Sequence, residues 1–267
     1  MLFPDVTYSF YPTYARLWGV PFRAVPLRGD FAICAEDYAG PSGGAAIPNP
    51  NAPTGIALPL GQVLEMARGL EAQGRVLVLD EAYAGFGAES AIGSIGGHPN
   101  LLVTRTLSKS GSLAGLRAGY AVGSEPLIEG LCRMRDSFNS YTVDRLAMAG
   151  AAAAVSDAEY YEETARMVIA TRERAAEGLR SLGFEVLPSA ANFVFARPPG
   201  IGGAEFFAEL RSRGILVRHF GGGRAADFLR VSIGTDGEMD EFLGRCGEII
   251  EARRRRAATA RAGGGAG

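Results

Sequence analysis

The fold is decided by the stretch Arg75-Val76-Leu77-Val78-Leu79-Asp80-Glu81-Ala82-Tyr83, an apolar run that ends in two acids. A short apolar run bounded by polar residues predicts a buried strand. A second run, Leu101-Leu102-Val103, leads into Thr106-Leu107-Ser108-Lys109-Ser110. Functional residues of open α/β sheets lie where the strands end. The two runs therefore predict neighbouring strands that place an acid and an amine at the same sheet edge.

Four further short apolar runs alternate with helical patterns in the first half of the chain. They are Met1–Phe3, Phe22–Val25, Ala45–Ile47 and Tyr120–Val122. Alternation of strands with helices predicts an α/β domain built on a mostly parallel sheet.

The second half has a different pattern. Residues 125–182 are predicted to be helical, with breaks at 137–140 and 156–157. Strands are predicted at 184–187, 192–196, 215–218 and 228–233, and helices at 203–213 and 236–256, as in a small α+β domain. We assign a large domain to residues 1–150, a small C-terminal domain to 151–256 and a disordered tail to 257–267, which lacks apolar bulk.

The composition excludes several classes of function. The chain has 267 residues with 27 basic and 29 acidic side chains, and its net charge of -2 predicts no nucleic-acid partner. Three scattered cysteines and two histidines predict neither a disulfide scaffold nor a metal site, and they suit a reducing cytoplasm. No secretion signal and no apolar run of roughly 20 residues is found. We expect a soluble, cytoplasmic protein without a membrane partner.

Lys109 is the only lysine among the 27 basic residues. Arginine is a poor amine nucleophile, whereas a desolvated lysine amine condenses with carbonyl groups, as in enzymes that use pyridoxal phosphate. Coding bias in an arginine-rich chain also explains the scarcity of lysine, although not the position of the one that remains. A nucleotide triphosphatase is excluded, because its phosphate loop needs a Gly-Lys pair and Lys109 follows Ser108.

Six motifs occur in the order found in one known family: Tyr8–Pro12, Pro48–Gly55, Asp80–Tyr83, Thr106–Lys109, Leu113–Tyr120 and Phe228–Gly234. Together they resemble the fold-type-I pyridoxal-phosphate-dependent aminotransferases of class I and II, and within them the histidinol-phosphate aminotransferase family. The resemblance implies a mostly parallel large domain, a small α+β C-terminal domain and pyridoxal 5'-phosphate as cofactor.

The resemblance assigns catalytic roles to three residues. It makes Lys109 the lysine that bonds to the cofactor aldehyde and Asp80 the carboxylate beside the pyridine nitrogen. A carboxylate in that place favours the protonated ring. Tyr83 would donate a hydrogen bond to the phenolic oxygen of the ring, and a tyrosine with its hydroxyl in solvent is the alternative.

Further cofactor contacts follow from the same resemblance. Ser108 and Arg117 match the phosphate-binding positions, where a hydroxyl and guanidinium donors suit phosphate oxygens. Tyr8 matches the aromatic residue that stacks on the ring, and an ordinary core aromatic explains it equally well. The asparagine contact of the family falls at Ala52 in this chain, so either Asn51 supplies it from the neighbouring position or the contact is absent.

Two arginines are assigned to the substrate. Alternation along 228–233 puts Leu229 and Val231 on one face and Arg230 on the other. The resemblance makes Arg230 the bidentate ligand of an α-carboxylate, a geometry that lysine cannot copy. Arg218 matches a position that meets the substrate phosphate.

The leading segment of the family is missing, and the chain begins inside a predicted strand at Met1–Pro4. The resemblance places in that segment a glycine loop for the cofactor phosphate and an arm used across a homodimer. Each lost charge-assisted hydrogen bond is expected to weaken cofactor binding by roughly 1.5 to 3 kcal/mol.

The activity that the resemblance implies is transamination of L-histidinol phosphate with 2-oxoglutarate in histidine biosynthesis, by a homodimer when the chain is full length. A threonine-phosphate decarboxylase or an aromatic aminotransferase would keep Lys109, Asp80 and Tyr83. A cofactor-sensing domain and an inactive truncated fragment are the alternatives that are not enzymes.

Overall fold

The computed structural model describes residues 1–263, with side chains described through residue 256. The chain divides into two compact units. The first comprises Met1–Arg166 with Ser189–Ala191, and the second comprises Met167–Pro188 with the chain from Asn192 onward. This division falls later than the domain boundary predicted after residue 150. Residues as late as Ala158 and Ala165 still line a cavity together with Arg105 of the first unit.

Six strands form the sheet of the first unit: β1 (Leu2–Pro4), β2 (Arg23–Val25), β3 (Ala45–Pro48), β4 (Leu77–Asp80), β5 (Leu101–Thr106) and β6 (Gly119–Val122). Their order is β2-β1-β3-β4-β5-β6, and every neighbouring pair is parallel except β5 with β6. The strands fall on the six predicted apolar runs, so the mostly parallel sheet is confirmed. Its centre is covered on both faces, since β1 and β3 are buried throughout.

Five helices belong wholly or in part to the first unit: α1 (Phe10–Leu17), α2 (Leu60–Glu71), α3 (Glu125–Phe138), α4 (Arg145–Ser156) and α5 (Ala158–Ser181). On α2 the buried residues are Val63, Met66, Ala67 and Leu70, a spacing that puts one apolar stripe on the core. At the start of α4 the Asp144 carboxylate accepts the Ala147 N–H at 2.9 Å, which caps the helix. The ends of α3 and α4 confirm the two predicted helix breaks.

The second unit carries an antiparallel sheet of four strands: β7 (Glu185–Val186), β8 (Phe193–Arg197), β9 (Arg218–His219) and β10 (Leu229–Ser232). Their order is β7-β8-β10-β9, and α6 (Gly203–Ser212) and α7 (Asp236–Gly263) complete the unit. Leu229 and Val231 join its apolar core, as the alternation predicted. The strand expected at 215–218 begins only at Arg218 and ends at His219, because the Ile215 N–H bonds to the Leu210 carbonyl at the end of α6.

The helix α7 extends further than predicted. Residues 257–263, expected to belong to a disordered tail, continue this helix to Gly263. Alanine and arginine have high intrinsic helix propensity, which accounts for the difference. The rest of the expected tail, 264–267, lies outside the described residues. Within residues 1–263, no helix has the length and apolar character needed to span a membrane.

Candidate active site

A cavity of about 300 Å3 opens at the carboxyl ends of β3, β4 and β5 in the first unit. Six of the predicted site residues line it: Tyr8, Asp80, Tyr83, Ser108, Lys109 and Arg117. The remaining lining residues are Pro48, Ala52, Ala82, Thr104, Arg105 and Thr106. The acid and the amine predicted at one sheet edge therefore share one cavity.

Asp80 is the last residue of β4, and its carboxylate is held by two donors. Its Oδ1 accepts the N–H of Ala82 at 3.0 Å, and its Oδ2 accepts the hydroxyl of Tyr11 at 2.9 Å. Burial raises the pKa of this carboxyl above its ordinary value, the bonds from Tyr11 and Ala82 oppose that rise, and Glu81 adds to it. The two donors therefore favour the charged form of Asp80 against the effect of burial.

Lys109 follows β5 and is exposed. Its Nζ lies 5.3 Å from the centre of the Tyr83 ring, within the range of a cation–π attraction. The amine is open to a ligand that enters the cavity.

The loop after β4 and the loop that carries Lys109 touch at Gly85. A Cβ at this position would lie 2.7 Å from both the Cβ and the Oγ of Ser110. Glycine is therefore needed for the close approach of the two loops. Because Tyr83 precedes Gly85 by two residues, this contact helps to bring the tyrosine beside the lysine.

A group of hydrogen-bond donors at the cavity consists of the half-buried Ser108 and the exposed Arg117. The Arg117 Nη1 donates to the carbonyl of Ala114 at 3.0 Å and approaches the Ser108 Oγ at 3.4 Å. Arg117 has φ 52 and ψ 34, a left-handed conformation that is uncommon for a residue with a side chain. The loop thus holds a guanidinium beside a hydroxyl at a cost in backbone energy, as is seen at functional sites.

A buried ion pair, not foreseen from the sequence, joins the ends of β4 and β5. The Glu81 Oε2 accepts from the Arg105 Nε at 2.8 Å and lies 2.7 Å from its Nη2. The Ser90 hydroxyl and the Ala91 N–H also donate to Glu81, each at 2.7 Å. Because Glu81 is 1% exposed, these bonds compensate for the loss of its hydration. The two residues are 24 positions apart, and their spacing carried no signal of the pair.

Asn51, considered above for a cofactor contact, does not line the cavity. It is 0% exposed, and its amide donates to the Val6 carbonyl at 2.9 Å and to the Thr54 hydroxyl at 3.1 Å. Its Oδ1 accepts the Thr7 hydroxyl at 2.9 Å. The side chain is therefore committed to loop structure, and Ala52 faces the cavity instead.

Tyr8 lines the cavity and is 46% exposed, as a residue available for ring stacking would be. Its ring meets that of Tyr11 edge-on, with the centroids 5.7 Å apart. Tyr11 belongs to the same motif as Tyr8, but nothing in the motif distinguishes it from an ordinary aromatic residue. Its hydroxyl bonds to Asp80, 69 residues further along the chain. This bond depends on the sheet, in which β1 and β4 both pair with β3.

Arg230 and Arg218 are direct cross-strand partners on β10 and β9 of the second unit. The Arg230 Cζ lies 5.1 Å from the Phe193 ring centre, and the Arg218 Cζ lies 5.6 Å from that of Phe220. The Arg230 Nε is buried and has no hydrogen-bond partner among the described residues. Like charges directly opposite each other destabilise a sheet, so the pair favours an anionic ligand.

Comparison with known proteins supplies the family context. The family model "Aminotransferase class I and II" matches residues 1–245. Histidinol-phosphate aminotransferase 2 of Thiobacillus denitrificans is 55% identical over 244 residues, which are 91% of this chain and 68% of the relative. The histidinol-phosphate aminotransferase of Acetobacter pasteurianus is 52% identical over 251 residues, which are 94% of this chain and 70% of the relative.

A solved structure agrees with the sequence relatives. Histidinol-phosphate aminotransferase from Sinorhizobium meliloti, in complex with pyridoxal-5'-phosphate, superposes with a TM-score of 0.83 at 27% identity. The superposition covers 94% of this chain and 70% of that one. The match therefore includes both units of this chain, while each of these relatives is longer.

The substitution Gly85→Ala tests the contact between the two loops. The added methyl would overlap Ser110, and overpacking of this kind costs about 1 to 3 kcal/mol. We expect a lower midpoint of urea unfolding, followed by the fluorescence of Trp18, the sole tryptophan, which lies in the first unit.

Gly93→Ala is the matched control, because a Cβ there meets nothing within 4 Å. Equal midpoints for the two variants would contradict the close approach at Gly85.

Proposed function

The chain belongs to the class I and II aminotransferase family, and from that premise we propose that it transfers the amino group between L-histidinol phosphate and 2-oxoglutarate, with pyridoxal 5'-phosphate as cofactor. The observation that carries this proposal is the shared cavity of Asp80 and Lys109 in a chain 55% identical to a histidinol-phosphate aminotransferase. In histidine biosynthesis the reaction runs from imidazole acetol phosphate and glutamate toward L-histidinol phosphate.

The donor set of the cavity fits pyridoxal phosphate. Ser108 and Arg117 offer a hydroxyl and a guanidinium for a phosphate, Asp80 offers a carboxylate for a ring nitrogen, and Lys109 offers an exposed amine. When bound, the cofactor supplies an aldehyde carbon and a ring that withdraws electrons from the substrate. The phosphate, the ring nitrogen and the aldehyde of the cofactor thus each have a complementary residue in the cavity lining.

Lys109 has two tasks in this reaction. Its Nζ would hold the cofactor through the aldehyde carbon until the amine of the amino donor displaces it. The freed amine would then take up the α-proton of the substrate and give it back, as a general base and then as a general acid. The exposure of Lys109 supports this role, since the amine has to reach more than one atom.

Asp80 and Tyr83 set the electronic properties of the cofactor. The Asp80 carboxylate would lie beside the ring nitrogen and favour its protonated form through opposite charge. The Tyr83 hydroxyl would donate a hydrogen bond to the phenolic oxygen of the ring. The proximity of the Tyr83 ring to the Lys109 Nζ, 5.3 Å, supports a place for this tyrosine at the reacting end of the cavity.

Arg230 and Arg218 bind the anionic groups of the substrates. Glutamate and 2-oxoglutarate carry two carboxylates, and L-histidinol phosphate carries a phosphate. The cross-strand placement of the two guanidiniums supports binding of such anions, because an anion relieves the repulsion between them. We assign the α-carboxylate to Arg230 and the phosphate to Arg218.

We also propose that the functional form is a homodimer. Large apolar side chains are exposed on and around α3 and α4: Leu131, Met134, Phe138, Tyr141, Leu146 and Met148. Exposed apolar patches of this kind mark interaction surfaces, and a second copy would cover them. The cytoplasmic location expected from the composition stays a prediction.

The substitution Lys109→Arg separates charge from nucleophilicity. Arginine keeps the positive charge and approximate length, but it lacks the amine that bonds to the cofactor. We expect retained circular dichroism and a fall of about a thousandfold in transamination between glutamate and imidazole acetol phosphate. Transamination at the wild-type rate would refute the assigned chemistry.

The substitutions Arg230→Lys and Arg218→Lys test the two anion positions separately. Loss of a bidentate charged contact costs about 1.5 to 3 kcal/mol, so kcat/KM should fall about 10- to 100-fold. The Arg230 variant should lose activity with glutamate, and the Arg218 variant with the phosphate-bearing substrate.

Arg213→Lys serves as the control, because Arg213, the residue directly after α6, pairs with Glu209 of that helix. Equal losses for glutamate and the phosphate-bearing substrate in both variants would contradict the assignment of one anion to each arginine.

A further inference from the structure

We propose that Tyr11 is a positioning residue of the active site: its hydroxyl fixes the orientation and the negative charge of the Asp80 carboxylate and thereby keeps the ring nitrogen of the cofactor protonated. This role rests on the function proposed above. Tyr11 lies in the first turn of α1 and does not line the cavity, so its effect on the cofactor would pass through Asp80.

The hydrogen bond of Tyr11 complements a second donor to the same carboxylate. The Tyr11 hydroxyl donates to Oδ2 at 2.9 Å, while the Ala82 N–H donates to Oδ1 at 3.0 Å. With one donor on each oxygen, the carboxylate plane cannot rotate without breaking a bond. Each oxygen keeps a lone pair for a partner in the cavity, which Asp80 lines.

Aromatic packing fixes the position of the Tyr11 ring. Its centroid lies 5.9 Å from that of Phe3, a residue of β1 that is 2% exposed, and 5.7 Å from that of Tyr8. Ring pairs at these distances have preferred geometries. The hydroxyl is therefore presented to Asp80 by a framework that includes the central sheet and a neighbour that also lines the cavity.

The bond acts against the effect of burial on Asp80. Burial favours the neutral acid and raises the pKa of Asp80, whereas a donated hydrogen bond favours the carboxylate. The other titratable or charged groups that adjoin Asp80 or line the cavity with it are Tyr8, Glu81, Tyr83, Arg105, Lys109 and Arg117. Arg105 is engaged by Glu81, so Tyr11 is the side-chain donor that Asp80 has among the described residues.

The first experiment uses Tyr11→Phe, which removes the hydroxyl and keeps the ring. In the cofactor-free chain, the Asp80 carboxyl carbon is followed by 13C NMR during a pH titration and assigned with Asp80→Asn. We expect the pKa of Asp80 to rise in Tyr11→Phe, because a donor to its charged form is lost. An unchanged Asp80 titration would overturn the role of Tyr11.

Tyr14→Phe is the matched control, since Tyr14 lies on the same helix, is 47% exposed and does not bond to Asp80. Its Asp80 titration should equal that of the wild type. In the cofactor-loaded protein, the acid limb of the kcat/KM profile should move to higher pH in Tyr11→Phe only. Cofactor affinity at neutral pH should fall about tenfold, the effect of about one charge-assisted hydrogen bond.

A double-mutant cycle separates positioning from simple structural support. If Tyr11 acts through the Asp80 carboxylate, Tyr11→Phe adds no loss of cofactor affinity when Asp80→Asn is already present. Losses that add independently would overturn the role.

A further measurement covers the case in which Tyr11→Phe fails to fold. The 13C chemical shift of the Tyr11 ζ-carbon reports the hydrogen bond of its hydroxyl and should change in Asp80→Asn. An unchanged chemical shift would contradict the contact. The cofactor-free titrations are independent of transamination, so an Asp80 shift in a chain that never binds the cofactor would overturn the proposed function and leave only the hydrogen bond.

Discussion

The parallel pairing of β3, β4 and β5 is the constraint on which the rest of the site depends. Its register sets Pro48 beside Asp80, and Asp80 beside Thr104. Because the three strands are parallel, the chain leaves each of them at the same edge of the sheet, and the residues that follow the strands lie close together. The two segments that carry the acid and the amine are neighbours in the sheet, although they are distant in sequence.

A buried ion pair reinforces this pairing of strands where β4 and β5 end at the cavity. Glu81 lies one residue beyond Asp80, and Arg105 lies within the last residues of β5. A buried pair contributes little net stability when its desolvation is counted, but removing one partner leaves an uncompensated charge. Its effect here is on geometry, because it holds the ends of β4 and β5 in one arrangement next to the cavity.

Much of the first unit could be predicted from the sequence, because its buried strands are short apolar runs that alternate with helical patterns. The position of Lys109 after one strand and Asp80 at the end of another followed from the same pattern. The orientation of Asn51 could not be predicted, since an amide serves a loop or a ligand equally well. Tyr11 and Arg105 were missed because their partners are set by tertiary packing. The strand was predicted from residue 215, because Ile215 is apolar, but it begins only at Arg218. The Ile215 N–H instead donates to the Leu210 carbonyl at the end of α6.

We propose that this sheet edge presents one reactive amine, that of Lys109, to an aldehyde cofactor. The most direct measurement is peptide mapping by mass spectrometry after incubation with pyridoxal 5'-phosphate and reduction with borohydride. We expect a single reduced cofactor adduct on the peptide that contains Lys109, with the Met1 amine unmodified. Absence of an adduct at Lys109, or equal labelling of the Met1 amine, would contradict it.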